Sequence, residues 1–249
     1  MSTDPVPVGT RVGSLVIGPR YNGPPTSGNG GYTSGCVASY VDASPVEVTL
    51  RRPPPLETVL PVIQSTVGIR VLGPDGEVVA DALPAALPDD ALVPPVPYAD
   101  AVAASAGYRG LGEHPFPTCF VCGPLRPDGL RLFPGPLDDG RTATPWLVPD
   151  DISPEILWAS LDCPGGWSVP LEARPYVLGR FTVRIDALPE PGEECVVMGL
   201  MVGEEGRKAY AHTTLSSPAG AVLARARATW VALTPTTPSP SPNPSRDLG

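Results

Sequence analysis

The sequence predicts an α+β protein made of two similar halves, each an antiparallel sheet wrapped around one central helix. Three observations support this class. The 249 residues are enough for two domains of ordinary size. Apolar residues make up 42% of the chain and charged residues 17%, a balance that favours a packed core over disorder. One order of elements, a helix followed by four strands, occurs twice along the chain.

In the first half, residues 12–17 are expected to form an opening strand, and the small-residue segment 30–41 is expected to be the helix. The alternation of apolar and polar residues at Val46–Leu50 is typical of a half-buried strand. Three more extended runs follow, at residues 58–64, 67–72 and 77–82. Gly73-Pro-Asp-Gly76 has the composition of a turn between the last two.

The second half repeats this order. Residues 130–133 and 141–147 are expected strands, residues 154–169 a helix, and residues 179–185 alternate with a period of two. Three further runs follow, at residues 195–202, 209–215 and 221–232. A turn at residues 216–220 separates the last two.

Each sheet has an apolar face that must be covered, so we expect each to curl around its own helix. Two such units could then pair their sheets edge to edge. We expect residues 1–112 to form the first module, with a Pro-rich linker that turns helical at residues 98–108, and residues 113–233 to form the second. Residues 234–249 are a Pro, Ser and Thr tract, which predicts a disordered tail.

Charge and hydropathy exclude several classes of partner. The formal net charge is -9, and the longest cluster of basic residues is the pair Arg51-Arg52, so we expect no nucleic-acid partner. No window approaches the roughly 18 consecutive apolar residues that a membrane span requires. These features predict no membrane span and a cytoplasmic location.

The five cysteines are scattered and odd in number, which favours reduced thiols over a disulfide framework. Cys119-Phe-Val-Cys122 has the spacing of zinc ligands. A structural zinc site needs four ligands, however, and the only histidines are His114 and His212. The sequence therefore predicts neither a bound metal nor a cofactor.

Two motifs in the second half resemble a known family. From Cys119 the chain reads CFVCGPLRPDGLRL, which is similar to the CFxCGxxNPxGLxL signature of many hot-dog proteins of the thioesterase superfamily, with Arg126 in place of asparagine. The segment Ile156-Leu-Trp-Ala-Ser-Leu-Asp162 resembles the central helix of that fold with its acidic residue. The family that these two motifs resemble is the 4-hydroxybenzoyl-CoA thioesterase superfamily.

In the first half, Gly28-Asn-Gly-Gly-Tyr32 resembles the HGG-type start of the same helix, with Asn29 where histidine is frequent. The resemblance implies a tandem double hot-dog fold, a catalytic carboxylate at Asp162, and an acyl-CoA or acyl-carrier-type thioester as substrate. The first helix has no acidic residue, so one composite site is implied instead of two. Hot-dog modules often associate through their sheets, which makes a homodimer an expectation.

The residues at the start of the first helix suit the stabilisation of an oxyanion. Hydrolysis of a thioester develops negative charge on the carbonyl oxygen, and donors aimed at that oxygen lower the barrier. Gly30, Gly31 and Tyr32 would lie at a helix N-terminus, where free N–H groups and the helix dipole favour an anion. Asn29 could hydrogen-bond the carbonyl or the water. Alternatively, this segment is an ordinary glycine-rich loop whose asparagine satisfies its own turn.

Asp162 interrupts an apolar stretch of a helix that should be buried, and a buried carboxylate needs partners or a raised pKa. It could act as a general base on water or as a nucleophile that forms a mixed anhydride. The structural alternative is a carboxylate that ends the helix before Cys163-Pro164.

The function that these features favour is hydrolysis of an acyl-CoA or a related acyl thioester. The main alternative is a non-catalytic hot-dog protein that binds acyl thioesters or lipids, because function resides in sites and not in folds. A hydratase or dehydratase would need a His-Asp or similar acid/base pair, and the scarcity of histidine counts against it.

Overall fold

The structure, a computed structural model, describes residues 9–88, 91–169 and 175–233. Eleven strands within these residues form one antiparallel sheet. Five strands lie in the first half: β1 (Thr10–Leu15), β2 (Val46–Leu50), β3 (Leu60–Gln64), β4 (Ile69–Leu72) and β5 (Val78–Pro84). Six lie in the second: β6 (Gly135–Pro136), β7 (Arg141–Leu147), β8 (Tyr176–Ile185), β9 (Glu194–Glu205), β10 (Lys208–Ser216) and β11 (Val222–Ala232).

The α-helices of the described residues are α1 (Gly30–Ala38), α2 (Tyr98–Ser105), α3 (Pro154–Ser160) and α4 (Asp162–Gly166). The predicted repeat is confirmed, because α1 is followed by β2 to β5, and α3 with α4 by β8 to β11. Strands far outweigh helices, so the α+β class fits only in the loose sense of a sheet protein with a few helices packed on it.

The two halves meet edge to edge, as predicted. The strand order is β1-β3-β4-β5-β2-β8-β11-β10-β9-β7-β6, so β2 of the first half and β8 of the second are neighbours. At this junction Val46 is opposite Val183 and Val48 is opposite Phe181, and all four side chains are buried. One hydrophobic core therefore runs across both halves.

Helices cover both faces of the sheet in the second half. In β9, Cys195 and Val197 belong to the main core, whereas Val196 and Met198 pack with Ala101 of α2. Alternate residues of a strand point to opposite faces, so β9 is buried on both sides. The segment expected to be helical at residues 98–108 contains α2, which packs on this face; its role as a linker between modules stays a prediction.

Two predicted turns are also confirmed by their glycines. Gly76, between β4 and β5, has a φ of +79°, and Gly220, between β10 and β11, has a φ of +80°. Residues with a side chain rarely adopt this conformation, so glycine allows each hairpin to close tightly.

The strand expected at residues 130–133 does not form. The N–H groups of Leu130 and Leu132 donate to the carbonyl oxygens of Phe120 and Val121. The Phe133 N–H donates to the hydroxyl oxygen of Thr144. These groups are satisfied by a loop and a side chain, so ladder pairing begins only at β6.

The helix expected at residues 154–169 is two helices, α3 and α4, which meet at Leu161. Pro164 lacks the N–H that would bond the carbonyl of Ser160 in a continuous helix. It is instead the third residue of α4, where no such bond is required. The break thus falls beside Asp162.

Other expectations are not tested by these residues. The predicted tail at 234–249 lies outside the described residues, and the module boundary near residue 112 stays a prediction. No helix in the described part of the chain is both long enough and apolar enough to cross a membrane.

Candidate functional site

The start of α1 is shaped by Asn29, the residue that caps it. The Asn29 side-chain oxygen accepts a hydrogen bond from the Tyr32 N–H at 2.8 Å, and the Asn29 N–H donates to the Tyr21 carbonyl oxygen at 2.7 Å. An asparagine cap satisfies one of the N–H groups that a helix leaves free in its first turn. The amide nitrogen of Asn29 is therefore left to face the second half of the chain.

That amide nitrogen meets Asp162. Asn29 Nδ2 donates to Asp162 Oδ2 at 2.8 Å, and the Gly31 N–H donates to the same oxygen at 3.0 Å. The structure thus brings together Asn29, Gly31 and Asp162, three of the residues predicted for the site. The contact joins the first turn of α1 in one half to the first residue of α4 in the other, as expected for a single composite site.

Two glycines of α1 allow this close approach. A Cβ on Gly31 would lie 2.6 Å from Asp162 Cβ and 2.7 Å from the Trp158 carbonyl oxygen. A Cβ on Gly35 would lie 2.8 Å from Glu155 Cα and 2.9 Å from Trp158 Cβ. These glycines are four residues apart and share one face of α1. That spacing is the sequence signal for the contact, which sequence analysis missed at Gly35.

The Asp162 carboxylate is buried and only half satisfied. The residue is 2% exposed, and within the described structure its Oδ1 atom has no hydrogen-bond partner. Burial raises the pKa of Asp162 to about 7, whereas the hydrogen bonds from Gly31 and Asn29 oppose that rise; the nearby Cys119 thiol adds to it. Such a group can exchange a proton near neutral pH.

The other two residues predicted for the site, Gly30 and Tyr32, lie at the same helix start but make different contacts. A Cβ on Gly30 would lie 2.8 Å from Leu178 Cβ, so Gly30 packs on β8, and no hydrogen bond from its N–H is found among the described residues. The Tyr32 ring stacks on Tyr21 with centroids 3.8 Å apart. The Gly31 N–H is engaged by the carboxylate and the Tyr32 N–H by Asn29, so the Gly30 N–H is the one in this first turn that has no partner among the described residues.

A cluster of three thiols lies next to Asp162. Cys119 Sγ is 3.9 Å from Asn29 Nδ2 and 3.9 Å from Cys163 Sγ. The sulfur atoms of Cys119, Cys122 and Cys163 all lie within 4.8 Å of one another, so these residues could hold a metal ion. The Cys119-Cys122 pair was visible in the sequence, whereas Cys163 joins the pair only through the fold.

A cavity of about 290 Å³ lies beside Gly35, one helical turn further along α1 than Gly31. Gly35 and Ser39 of α1, Trp158 of α3, and Val183 and Ile185 of β8 are among its lining residues. Trp158 links the two features, because its carbonyl approaches Gly31 and its side chain lines the cavity. The carboxylate and the cavity therefore lie on either side of the contact between α1 and Trp158 of α3.

Solved structures share this architecture over most of its length. A candidate thioesterase from Novosphingobium aromaticivorans is 18% identical, with a TM-score of 0.58 over 89% of this chain and 95% of that one. A protein of unknown function with a hot dog fold from Alicyclobacillus acidocaldarius is 16% identical, with a TM-score of 0.56 over 90% of this chain and 93% of that one. The chain has the hot-dog fold.

A third structural neighbour is a candidate thioesterase II from Thermobifida fusca, 14% identical, with a TM-score of 0.56 over 91% of this chain and 96% of that one. No protein-family model and no curated protein matches the sequence. The resemblance predicted from the motifs is thereby confirmed for the fold, and the hot-dog unit occurs once in each half. Activity is a property of the site, because one fold can host many functions.

Proposed function

We propose that this protein hydrolyses acyl-CoA or a related acyl thioester, with Asp162 as its acid/base group. The observation that carries the proposal is the state of that carboxylate. One oxygen is fixed by Asn29 and Gly31, the other has no partner within the described structure, and the residue is buried. The thioesterase names of two hot-dog neighbours agree with this activity.

In the proposed reaction, Asp162 Oδ1 takes a proton from a water molecule as the water oxygen adds to the thioester carbonyl carbon. The tetrahedral intermediate then collapses, the carbon–sulfur bond breaks, and the proton on Asp162 passes to the departing thiolate. A pKa of about 7 suits both proton transfers near neutral pH. Direct attack by Oδ1 to form a mixed anhydride is the alternative that the same geometry supports.

The developing oxyanion would be bound at the start of α1. The Gly30 N–H lies in the first turn, where the helix dipole also favours negative charge. Gly31 and Asn29 would hold the carboxylate, and Tyr32 would support the helix start through its stacked ring. This division of roles differs from the expectation from sequence, in which all four residues faced the substrate.

The cavity between α1 and α3 is the proposed acyl pocket. Its volume of about 290 Å³ is just below the roughly 300–1,000 Å³ typical of ligand pockets. Its lining is mainly apolar, with Trp158, Val183 and Ile185 among the lining residues. We therefore expect a short acyl group to be preferred over a long chain.

The second candidate function is binding of an acyl thioester or lipid without hydrolysis. It is favoured by the contact between Asp162 and the Gly31 N–H, because this contact also caps α1 and gives the carboxylate a structural role. Hydratase chemistry finds less support. His114, a histidine available for an acid/base pair, contacts Cys122 instead of Asp162.

The test is release of free CoA from a panel of short, medium, long and aromatic acyl-CoAs, with wild type compared with Asp162→Asn. We expect turnover of short acyl groups that falls on the order of a hundredfold or more in the variant. Asp186→Asn, which removes an exposed carboxylate paired with Arg184, is the matched control and should keep full activity. Intact acyl-CoA binding with no release by wild type would reject hydrolysis and favour the binding protein.

We also propose that this activity belongs to lipid metabolism in the cytoplasm. All five cysteines are free thiols, and Cys119 and Cys163 stay unpaired although their sulfur atoms are only 3.9 Å apart. Free thiols in such proximity are typical of a reducing compartment.

A further inference from the structure

We infer that Cys119, Cys122 and Cys163 form a binding site for a thiophilic metal ion of the Zn²⁺ or Cu⁺ type. The three residues are buried, and their sulfur atoms all lie within 4.8 Å of one another. Two come from one turn of the chain and the third from α4, 41 positions after Cys122 in the sequence. Sequence analysis predicted no metal because too few ligands were visible, and the fold supplies one more.

The spacing of the sulfur atoms fits a shared ion. Thiolates bound at about 2.3 Å are separated by about 3.8 Å in tetrahedral geometry and about 4.0 Å in trigonal geometry. Cys119 Sγ and Cys163 Sγ are 3.9 Å apart, and no pair exceeds 4.8 Å. The cluster therefore lies within about 1 Å of metal-bound geometry.

The turn that carries the first two cysteines favours a thiolate at one of them, Cys119. The Gly123 N–H donates to the Cys119 carbonyl oxygen at 2.9 Å, and a Cβ on Gly123 would lie 2.5 Å from Cys119 N, so only glycine permits this tight turn. Hydrogen bonds from the Cys122 and Cys163 thiols lower the pKa of Cys119 against the opposing effect of burial, and backbone hydrogen bonds from Cys122 and Val121 add to the lowering. These donors stabilise a negatively charged sulfur, which is the form that binds metal.

Groups around the cluster supply further donors. His114 Nε2 lies 3.4 Å from Cys122 Sγ, and the Phe116 N–H donates to His114 Nδ1 at 2.9 Å. An Nδ1 that accepts leaves the imidazole proton on Nε2, so His114 donates to the sulfur. Asn29 Nδ2 is 3.9 Å from Cys119 Sγ on the other side. Hydrogen bonds of this kind orient metal ligands and offset their charge.

The donor set selects the class of ion. Thiolate sulfur is a soft ligand that favours Zn²⁺ and Cu⁺ over Mg²⁺ or Ca²⁺. Within the described part of the chain, the group of residues close enough to share an ion consists of these three cysteines. Three sulfurs can satisfy Cu⁺, whereas Zn²⁺ would need a fourth ligand from solvent or from a turned His114. The bound ion would tie the 119–122 turn to α4, next to Asp162.

The experiment measures metal bound to the full chain, purified under anaerobic, reducing conditions. Each chain should bind one equivalent of Zn²⁺ or of Cu⁺, with Cd²⁺ as an optical probe that gives sulfur-to-metal charge-transfer absorption. Cys119→Ala and Cys163→Ala should weaken binding on the order of a hundredfold or more. Cys195→Ala, which removes a buried thiol of β9, and Cys36→Ala in α1 are matched controls and should bind like wild type.

Further measurements distinguish Cu⁺ from Zn²⁺, and loss of metal binding from loss of folding. X-ray absorption reports the ligands of each bound ion. Cu⁺ should show three sulfur ligands and no lighter ligand, and Zn²⁺ should show a fourth ligand that is nitrogen or oxygen. Circular dichroism checks that each variant is folded. If Cys119→Ala or Cys163→Ala does not fold, His114→Ala provides the second test, because it keeps all three thiols and should retain Cu⁺ binding. Wild-type binding no tighter than that of Cys119→Ala, or binding lost equally in Cys195→Ala, would overturn the site.

Discussion

At the scale of single residues, Gly31 is what allows the two halves to share a site. Its missing side chain leaves room for Asp162 Cβ and the Trp158 carbonyl, and the latter is backbone that cannot rotate away. Gly31→Ala should therefore destabilise the fold by about 1–3 kcal/mol through overpacking, and it should lower thioester hydrolysis by displacing Asp162. Urea denaturation and CoA release measure the two effects.

The matched control is Gly112→Ala. Gly112 is exposed, has a φ of -89°, and a Cβ there would lie 3.7 Å from the Arg109 carbonyl oxygen, an ordinary contact. Its substitution should leave both stability and activity unchanged. Equal behaviour of the two variants would mean that α1 and α3 can separate at no cost, contrary to the packing described.

The buried carboxyl of Asp162 predicts a pH dependence of stability. Its pKa is about 7 in the folded protein, against 3.8 for the exposed group. Between those values the folded state holds a proton that the unfolded chain has lost, so the free energy of unfolding should fall as pH rises from about 4 to about 7 and should then level off. Asp162→Asn should remove this fall.

Urea denaturation at a series of pH values, with chelator-treated and reduced protein, gives the required free energies. The comparison of wild type with Asp162→Asn isolates this carboxyl from the other acidic groups, because those remain in both proteins. The same slope in both would place the titrating group elsewhere.

The sequence predicted some of these residues and not others. Asp162 was visible as an acidic residue in an apolar helix, and Asn29 and Gly31 as part of a helix start, so their grouping was expected. That the Gly31 N–H donates to the carboxylate could not be predicted, because it depends on a contact between residues 131 positions apart. Cys163 was missed for the same reason, since its partner Cys119 is 44 positions away.

At the scale of elements, the cap of α1 serves two purposes that one pair of variants can separate. Asn29→Ala removes the cap on Tyr32 and a donor to Asp162, so it should cost at least about 1 kcal/mol. Asn29→Asp keeps an equally good cap but places a second carboxylate against Asp162. We expect Asn29→Asp to be destabilising as well, because two buried carboxylates repel each other and one must take up a proton.

Thermal or urea unfolding followed by circular dichroism measures both variants. If Asn29 acted only as a cap, aspartate would be as stable as asparagine, because the two residues are equivalent at this position of a helix. A wild-type value for Asn29→Asp would thus contradict the proposed pairing with Asp162.

Element boundaries show what local sequence can and cannot predict. Alternation at Val46–Leu50 and the glycine turns were sufficient to place strands, because these signals are contained within a few residues. The apolar alternation at Leu130 and Leu132 predicted a strand as well, but their N–H groups pair with the 119–122 turn instead. The single helix expected at residues 154–169 breaks at Leu161, three residues before Pro164, because a proline is tolerated in the first turn of a new helix.

At the scale of the whole molecule, the continuous sheet predicts that the two halves unfold together. Phe181 of β8 is fully buried, pairs with Val48 of β2 and packs edge-on against Trp158. Phe181→Ala should therefore lower the free energy of unfolding by about 3–5 kcal/mol in both halves. Hydrogen exchange read by mass spectrometry should show the same loss of protection in β4 and β5 as in β9 and β10.

Phe116→Ala is the control for this variant, because Phe116 is a partly buried aromatic residue at the margin of the core and far from the junction in sequence. It should cost less and act mainly on its own loop. If the Phe181→Ala variant lost protection only in the second half of the chain, the junction would not couple the two halves.

The overall fold was the feature most open to prediction, because the repeated order of elements and the motifs around Cys119 and Asp162 agree with each other. Edge-to-edge pairing of the two sheets was expected, but the sequence did not predict that β2 and β8 would be the strands that meet, because each sheet has two edges. The cavity was not predicted, since its lining comes from both halves and depends on how closely α1 approaches α3.

The contact between Gly31 and Asp162 joins two hot-dog units that are connected by one continuous chain. A site shared between separate subunits is lost on dilution, whereas a tether holds its two parts at a high effective concentration. If the proposed hydrolysis is correct, specific activity should accordingly stay constant as the protein is diluted far below the level at which any dimer dissociates. Such a protein could work at very low abundance, and its two halves could diverge in sequence without losing each other as partners.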